Sequence, residues 1–110
     1  LHMRAEDAGR DANYRGMFDV ALTRAVSALP VLVELTVPLV KVGGISIAYK
    51  GEADEELDSA KSALHLLHAE AKKIDVPSDY GVRSLIIMKK NAPTAKTYPR
   101  KAGIPVKKPL

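Results

Sequence analysis

Phe18-Asp19-Val20-Ala21-Leu22-Thr23-Arg24-Ala25-Val26 is the stretch from which the elements on either side can be placed. It begins as an apolar run, delivers a hydroxyl and a guanidinium at Thr23 and Arg24, and then resumes an apolar pattern of helical spacing. A buried strand with polar side chains at its carboxyl end is the usual geometry of a ligand site in an open α/β sheet. The stretch therefore predicts a strand over residues 18–23 and a binding site at its end.

The residues after this strand alternate between helical and strand patterns. Apolar residues recur at near-helical spacing over residues 30–40, and Pro30 suits a first helical turn. Two glycines in residues 41–44 can end that helix and turn the chain back, so that residues 45–49 form the next strand. A strand, a helix and a strand in this order predict a right-handed parallel crossover.

A helix and two strands are predicted next. Residues 54–69 favour a helix, because apolar residues repeat at helical spacing and acidic residues fill the first turn. Residues 71–76 and 83–90 have strand patterns and are joined by the turn-rich residues 77–81. The sheet is therefore predicted to be mostly parallel and closed by an antiparallel strand pair.

The two ends of the chain are less regular. Residues 1–4 look like the end of a strand, and residues 5–15 predict a short surface helix or helical loop. From residue 91 onward the prolines and basic residues show no period, which predicts an extended segment that holds its shape only by docking. We divide the chain into a folded part, residues 1–90, and a basic, proline-rich tail, residues 91–110.

Composition limits the class of protein. A chain of 110 residues with 46% hydrophobic content is one globular domain at most. It contains no cysteine, which excludes disulfides and thiolate metal sites and favours a reducing cytoplasm as its compartment. No membrane span is predicted, because Pro30, Glu34 and Pro38 interrupt the longest apolar tract. No signal peptide is predicted, because the sequence does not open with a basic-then-apolar leader.

Charge is distributed unevenly along the chain. Ten basic and thirteen acidic residues precede Lys89, whereas seven basic and no acidic residues lie from Lys89 to the end. The net charge of +4 is therefore a property of the tail. Such a tail can be a solvated or disordered polypeptide, or an arm that contacts RNA. We prefer the docked, RNA-facing arm.

Several short motifs follow one another in an order that a known family shares. They are Arg4-Ala5-Glu6, Asp19-Val20, Thr23-Arg24-Ala25-Val26, Pro38-Leu39-Val40-Lys41 with Gly43-Gly44, Ala48-Tyr49-Lys50-Gly51, Glu55-Glu56-Leu57, Ala92-Pro93-Thr94, Tyr98-Pro99-Arg100-Lys101-Ala102-Gly103-Ile104-Pro105 and Lys107-Lys108-Pro109-Leu110. Together they resemble the carboxyl-terminal half of the RsmG (GidB) family over essentially the whole chain.

The resemblance implies both a fold and an activity. The fold is α/β, the carboxyl-terminal half of a Rossmann-like class I methyltransferase. The activity is transfer of a methyl group from S-adenosylmethionine to N7 of one guanine in 16S ribosomal RNA, so the partner is the small ribosomal subunit. Guanine N7 has a free lone pair, and its methylation needs positioning rather than a general base. We therefore predict no catalytic acid or base.

The chain departs from the family pattern in one respect. No Gly-x-Gly-x-x-Gly-like loop precedes a helix in it, and in the family that loop lies before the position of Leu1. We therefore expect a fragment of the parent enzyme that is inactive by itself. Strands that would pair with the other half would leave a sheet edge exposed, which predicts self-association.

By resemblance, three residues are predicted to contact the cofactor. Ala5 and Glu6 match the loop that holds the adenosine, although the same residues could simply start a solvated helix. Arg24 matches a position that reaches the methyl donor or the guanine. Its alternative roles are to extend over the sheet edge or to pair with Glu34.

A second set of residues is predicted to contact RNA. Arg4, Lys50 and Arg83 match basic positions of the family, and Arg100 and Lys101 belong to the basic tail. Such a cluster could neutralise backbone phosphates. The alternative is that each of these residues is a solvated cation at a strand end or in the tail.

Two competing interpretations stay open: a non-enzymatic module that binds RNA or the ribosome through the tail and needs no cofactor, and a small structural fragment with neither activity. His65 and His68 lie three apart on the predicted helix, a spacing that can share a metal ion. The pattern offers no cysteine and no nearby acidic third ligand. We therefore predict no metal site.

Overall fold

The computed structural model describes residues 5–24, 28–50, 54–76 and 83–110. The helices and strands in these ranges are, in chain order, α1 Ala5–Arg10, β1 Phe18–Arg24, α2 Leu29–Thr36, β2 Val40–Lys50, α3 Asp54–Ser59, α4 Lys61–Leu66, β3 Ala69–Val76, β4 Arg83–Lys90 and α5 Ile104–Lys107. A 3₁₀ turn, Val37–Leu39, joins α2 to β2. The predicted strand end at residues 1–4 and the predicted turn at residues 77–81 lie outside the described residues. None of the helices in the described ranges is long and apolar enough to cross a membrane.

The four strands form one sheet in the order β1-β2-β4-β3. β1 and β2 pair in parallel, whereas β4 pairs antiparallel with both β2 and β3. The α/β class is confirmed, but the prediction of a mostly parallel sheet is wrong for this part of the chain. The reason is the short connection from β3 to β4, six residues in sequence, because a parallel pair needs a crossover of a dozen or more. β4 therefore returns as a hairpin strand and inserts between β2 and β3, which run parallel to one another.

One face of the sheet carries the core. Alternate residues of the two central strands, Ser46 and Ala48 of β2 and Ile86 and Met88 of β4, are fully buried. They pack with the apolar faces of α2 and α4 and with the turn after each helix, where the buried residues are Leu29, Leu32, Val33, Val37, Ala60, Ala63, Leu64 and Leu67. Burial of each large aliphatic side chain contributes about 2 kcal/mol. The helical spacing read from the sequence therefore marks the residues that hold the helices on the sheet.

The opposite face of the sheet is also apolar but is exposed in this structure. Val20, Leu22, Tyr49 and Ile74 belong to this face by strand alternation and pairing, and Leu22 is 75% exposed. Strands with apolar residues on both faces are typical of sheets that are covered on both sides.

The glycines of residues 41–44 do not form the predicted turn. β2 already begins at Val40, and both Gly43 and Gly44 lie inside it. Gly43 has a φ of 86°. A Cβ on Gly44 would lie 2.8 Å from the carbonyl oxygen of Asp19, next to the point where the β1–β2 register shifts. These glycines therefore permit a strand irregularity and a close backbone approach.

The other predicted elements are close to the observed ones. The helix predicted over residues 30–40 is α2 followed by the 3₁₀ turn, and the helix predicted over residues 54–69 is broken at Ala60 into α3 and α4. The strand predicted over residues 83–90 is confirmed as β4, and that over residues 71–76 begins two residues earlier as β3.

The tail, residues 91–110, lies against α1 and α2. Pro99 and Pro105 are fully buried, and Tyr98 and Leu110 pack against the core. Gly9 of α1 lies so close that an added Cβ would be 2.8 Å from Cγ of Pro99. The tail is therefore held by contacts along its length, while the domain boundary at residue 90 stays a prediction.

Candidate functional site

The carboxyl ends of β1 and β2 meet at one edge of the sheet, as the parallel crossover predicts. In the register of this pair, Thr23 lies opposite Ala48 and Arg24 opposite Tyr49. At the same edge Lys50 pairs with Ser84, the second residue of β4, and Arg83 pairs with Val76 at the end of β3. Neighbouring strands are about 4.8 Å apart. The backbone therefore brings Arg24, Lys50 and Arg83 to one edge, whereas the orientation of these three side chains lies outside the described part of the structure.

A shallow cavity adjoins this edge. It has a volume of about 270 Å³ and is lined by Leu22, Thr23, Ile47, Tyr49 and Leu85. The lining is mostly apolar, and Tyr49 as a whole residue is 41% exposed. An apolar wall with one accessible aromatic ring suits stacking against a flat heterocycle such as adenine or guanine.

Glu6 lies at the start of α1 and faces the tail. It is only 4% exposed, and its Oε2 accepts a hydrogen bond of 3.0 Å from the backbone N–H of Gly103. Gly103 has a φ of 89° and precedes α5. A buried carboxylate in this position fixes the tail to α1, a role that sequence reasoning missed because the two residues are 97 positions apart. The predicted contact of Ala5 and Glu6 with adenosine stays a prediction.

Arg100 of the tail is paired with a fully buried carboxylate. Glu34 of α2 is 0% exposed and accepts hydrogen bonds from Nη2, Nε and the backbone N–H of Arg100 at 2.7 to 3.2 Å. A second bond of 2.6 Å runs from Nη2 to the carbonyl of Lys108. The hydrogen bond to Glu34 raises the pKa of Arg100, opposed by burial. The guanidinium of Arg100 therefore forms its described hydrogen bonds within the chain, whereas the next residue, Lys101, is exposed.

Arg15, in the loop after α1, holds the tail in place, a role that sequence reasoning missed. Its Nη1 donates to the carbonyls of Gly9 at 2.9 Å and Tyr98 at 2.5 Å. Its Nη2 donates to the carbonyls of Thr94 and Ala95, both at 2.9 Å. Burial lowers the pKa of the guanidinium. One side chain therefore joins the loop after α1 to the tail, and no local signal in the sequence could have indicated contacts 79 to 83 positions away.

Lys90, the last residue of β4, is a second buried cation in this region. It is 4% exposed, and its Nζ donates a hydrogen bond of 2.8 Å to the carbonyl of Val40. Burial lowers the pKa of this amine, and the charge of Arg15 lowers it further. The charge of Arg15 therefore contributes to the environment of Lys90.

The predicted site residues thus fall into two groups. Arg24, Lys50 and Arg83 share the sheet edge by register, whereas Glu6, Arg100 and Lys101 lie where the tail meets α1 and α2. Arg4 lies outside the described residues. Among the residues that are described, no group of three histidines or carboxylates could hold a metal ion, and His65 and His68 are exposed.

Comparison with known proteins gives the family. The family model of the rRNA small subunit methyltransferase G, also called GidB, matches residues 1–86. All of this chain aligns, with 47% identity, to the ribosomal RNA small subunit methyltransferase G of Desulfitobacterium hafniense and covers 48% of it. The corresponding proteins of Acetivibrio thermocellus and Streptococcus pyogenes are 43% and 48% identical to it, and the chain covers 47% and 48% of them.

The chain spans about half the length of these relatives. Its matched residues include the sheet edge with Arg24, Lys50 and Arg83, as well as Glu6 and Arg15 beside the tail. The chain belongs to the rRNA small subunit methyltransferase G family.

Proposed function

We propose that this chain is part of a cytoplasmic enzyme that transfers a methyl group from S-adenosylmethionine to N7 of a guanine in the 16S RNA of the small ribosomal subunit. The observation that carries the proposal is the identity of 43 to 48% with proteins named ribosomal RNA small subunit methyltransferase G, over the whole length of the chain.

The sheet edge supports a role in binding both the methyl donor and the RNA. Arg24 ends β1 beside Tyr49, next to a cavity whose apolar wall suits the adenine ring or the target guanine. Lys50 and Arg83 lie at the same edge, where cations could meet the RNA backbone. Ala5 would contact the adenosine through its backbone, because the carboxylate of Glu6 is buried against the tail.

In this reaction the residues of the site have to position two reactants, the methyl donor and the guanine. S-adenosylmethionine would supply the methyl group: its sulfur–methyl bond would break as the lone pair of guanine N7 forms the new bond, S-adenosylhomocysteine would leave, and N7 has no proton to lose first. Residues that orient the base and keep water out are therefore sufficient, and an acid and base pair is not required. A small misplacement of a positioning residue can cost about 100-fold in rate.

A chimera tests the proposal. Residues 1–110 replace the matching part of the Desulfitobacterium hafniense relative, and methyl transfer from labelled S-adenosylmethionine to small-subunit RNA is measured, with the product nucleoside identified by mass spectrometry. We expect 7-methylguanosine, and we expect Arg24→Ala to lower the rate by about 100-fold. Lys61→Ala, an exposed cation on α4, is the matched control. The 110-residue chain alone, which has no glycine-rich loop of this class, is the expected inactive reference.

Two results would contradict the proposal. One is a folded chimera that binds RNA but transfers no methyl group and gives no heat on titration with S-adenosylmethionine, as a non-enzymatic RNA-binding module would. The other is a chimera whose rate is the same with Arg24→Ala as with Lys61→Ala.

We also propose that the isolated chain associates with a second copy of itself. β1 is at one end of the described sheet, and the adjoining face exposes Val20, Leu22 and Tyr49. An unpaired strand edge next to an exposed apolar face is a template for pairing with another chain.

A further inference from the structure

A second cavity lies between the loop after α1 and the tail. It has a volume of about 280 Å³, and its lining residues are Arg10, Ala12, Arg15 and Lys96. Three of the four are basic and none is acidic. We call this cavity the basic cleft. It is separate from the sheet edge, because the two cavities share no lining residue.

Within the described residues, the guanidinium of Arg15 at the base of the cleft has no carboxylate partner. Its described partners are the four backbone carbonyls of Gly9, Thr94, Ala95 and Tyr98. These carbonyls satisfy the N–H groups of both terminal nitrogens, but each is a neutral acceptor. The guanidinium therefore contributes a fixed positive potential to the cleft rather than further hydrogen bonds.

Two neighbouring groups add to this arrangement. Lys90 is a buried cation close enough to Arg15 for the charge of Arg15 to lower the pKa of its amine. The hydroxyl of Thr94 is buried and, within the described ranges, has no hydrogen-bond partner, while the carbonyl of the same residue binds Arg15. Positive charge is thus concentrated around Arg15, an arrangement that favours an anion.

The donors that can reach a ligand are at the mouth of the cleft. Arg10 and Lys96 are both exposed. The only described contact of the Arg10 guanidinium is from Nη1 to the carbonyl of Pro99 at 3.3 Å. Its remaining N–H groups can form the paired hydrogen bonds that arginine makes with phosphate oxygens, and Lys96 can add a point charge.

We propose that the basic cleft binds a phosphate group, with Arg10 and Lys96 as the ligands and Arg15 as the fixed charge behind them. One possible source of this phosphate is the backbone of the substrate RNA, and for that source the proposal rests on the proposed function. The other source is free inorganic phosphate. Both present the same anionic oxygens, and the experiment separates them.

The test follows the backbone amides of the ¹⁵N-labelled 110-residue chain by NMR, at constant ionic strength set with chloride. One arm adds inorganic phosphate, and the other adds a short uridine oligonucleotide without terminal phosphates. We expect shifts at Arg10, Ala12, Arg15 and Lys96. The variant Arg10→Ala/Lys96→Ala should weaken binding by about tenfold or more, because charge-assisted hydrogen bonds are lost. Lys61→Ala/Lys72→Ala, which removes two exposed cations elsewhere, should leave it unchanged.

The outcomes separate the sources and can overturn the proposal. Shifts of the same amides by both probes, with competition between them, identify the RNA backbone as the source, and the salt slope of RNA binding should then fall by roughly 0.7 in the cleft variant. Shifts by inorganic phosphate alone identify free phosphate. No shift at the cleft with either probe, or equal affinity of the cleft variant and the control variant, overturns the proposal. No methyl donor is present, so a failure of methyl transfer in the chimera would leave this result intact.

Discussion

At the scale of single residues, three cations of the same formal charge have different roles because they have different partners. Arg100 is paired with Glu34, a carboxylate that is 0% exposed, and removing one member of such a buried pair typically costs about 3 to 5 kcal/mol. Arg15 is held by four neutral carbonyls, and Lys90 by the single carbonyl of Val40. The partner rather than the residue type therefore decides whether the charge stabilises the fold, organises a segment or is available to a ligand.

Lys90 should make stability depend on alkaline pH. Its pKa in the folded chain is lowered from the ordinary 10.5, so below 10.5 the unfolded chain binds more protons. Stability from this group therefore rises as the pH rises from the folded pKa towards 10.5. We expect Lys90→Met to remove this rise, measured as the free energy of urea unfolding of the variant relative to the native chain at several alkaline pH values.

Lys89→Met is the matched control for this measurement, because Lys89 is the exposed neighbour of Lys90 on the same strand. It should leave the slope unchanged. Equal slopes for the native chain and Lys90→Met would show that burial of Lys90 has no energetic effect.

At the scale of elements, the tail has almost no secondary structure of its own, and specific side chains fix it in place. α5 is four residues long, and the remainder is held by Glu6, Arg15 and Glu34, each of which reaches it from outside. Extended segments without an internal hydrogen-bond ladder need such partners, because each ordered residue costs about 1 to 2 kcal/mol of backbone entropy. Arg15 bonds to three different residues of the tail, Thr94, Ala95 and Tyr98, whereas the described bonds of Glu6 and Glu34 each reach one.

Arg15→Lys should loosen the tail selectively. A lysine ammonium has three donors on one atom and cannot reproduce a planar fork that reaches four carbonyls. We expect the amides of Ile104 and Lys108, whose bonds close the tail turns, to exchange with deuterium about tenfold faster or more. Amides of Ile86 and Met88 in the central strand should be unaffected. Arg10→Lys, which loses one weak bond, is the control, and unchanged exchange of the tail in Arg15→Lys would contradict the role assigned to it.

At the scale of the whole molecule, the sheet is covered by helices on one face and exposes apolar residues on the other. Leu22 is 75% exposed, and Val20, Tyr49 and Ile74 are between 39% and 46% exposed. Scattered apolar residues are ordinary on a surface, but these lie on one face of paired strands. Such a face lowers its free energy when it is covered.

Leu22→Lys should reduce self-association of the isolated chain. A charge in the middle of the apolar face would have to be desolvated in any association that buries it. We expect a lower average mass by size-exclusion chromatography with light scattering. Val106→Lys changes a residue of similar chemistry, 59% exposed on α5, and should leave the mass unchanged. A monomeric native chain at high concentration would rule out the association.

Much of the architecture could be predicted from the sequence because its signals are local. The helical spacing of residues 30–40 and the strand pattern of residues 83–90 report the face that each element buries, and the structure has both elements. The placement of Arg24 at the edge beside Tyr49 follows from the same reasoning, since parallel strands end together. The turn predicted at Gly43 and Gly44 is wrong, because a strand irregularity and a turn both favour glycine.

The α/β class, the family and the basic tail follow from local sequence signals, because periodicity, motif order and composition are carried by residues near one another. The antiparallel insertion of β4, the burial of Glu34 against Arg100 and the attachment of Arg15 to the tail are seen only in the folded chain. These features join residues 66 to 83 positions apart or depend on strand order. Contacts of that separation depend on how the whole chain packs, and a local pattern does not record which distant partner a charged side chain will meet.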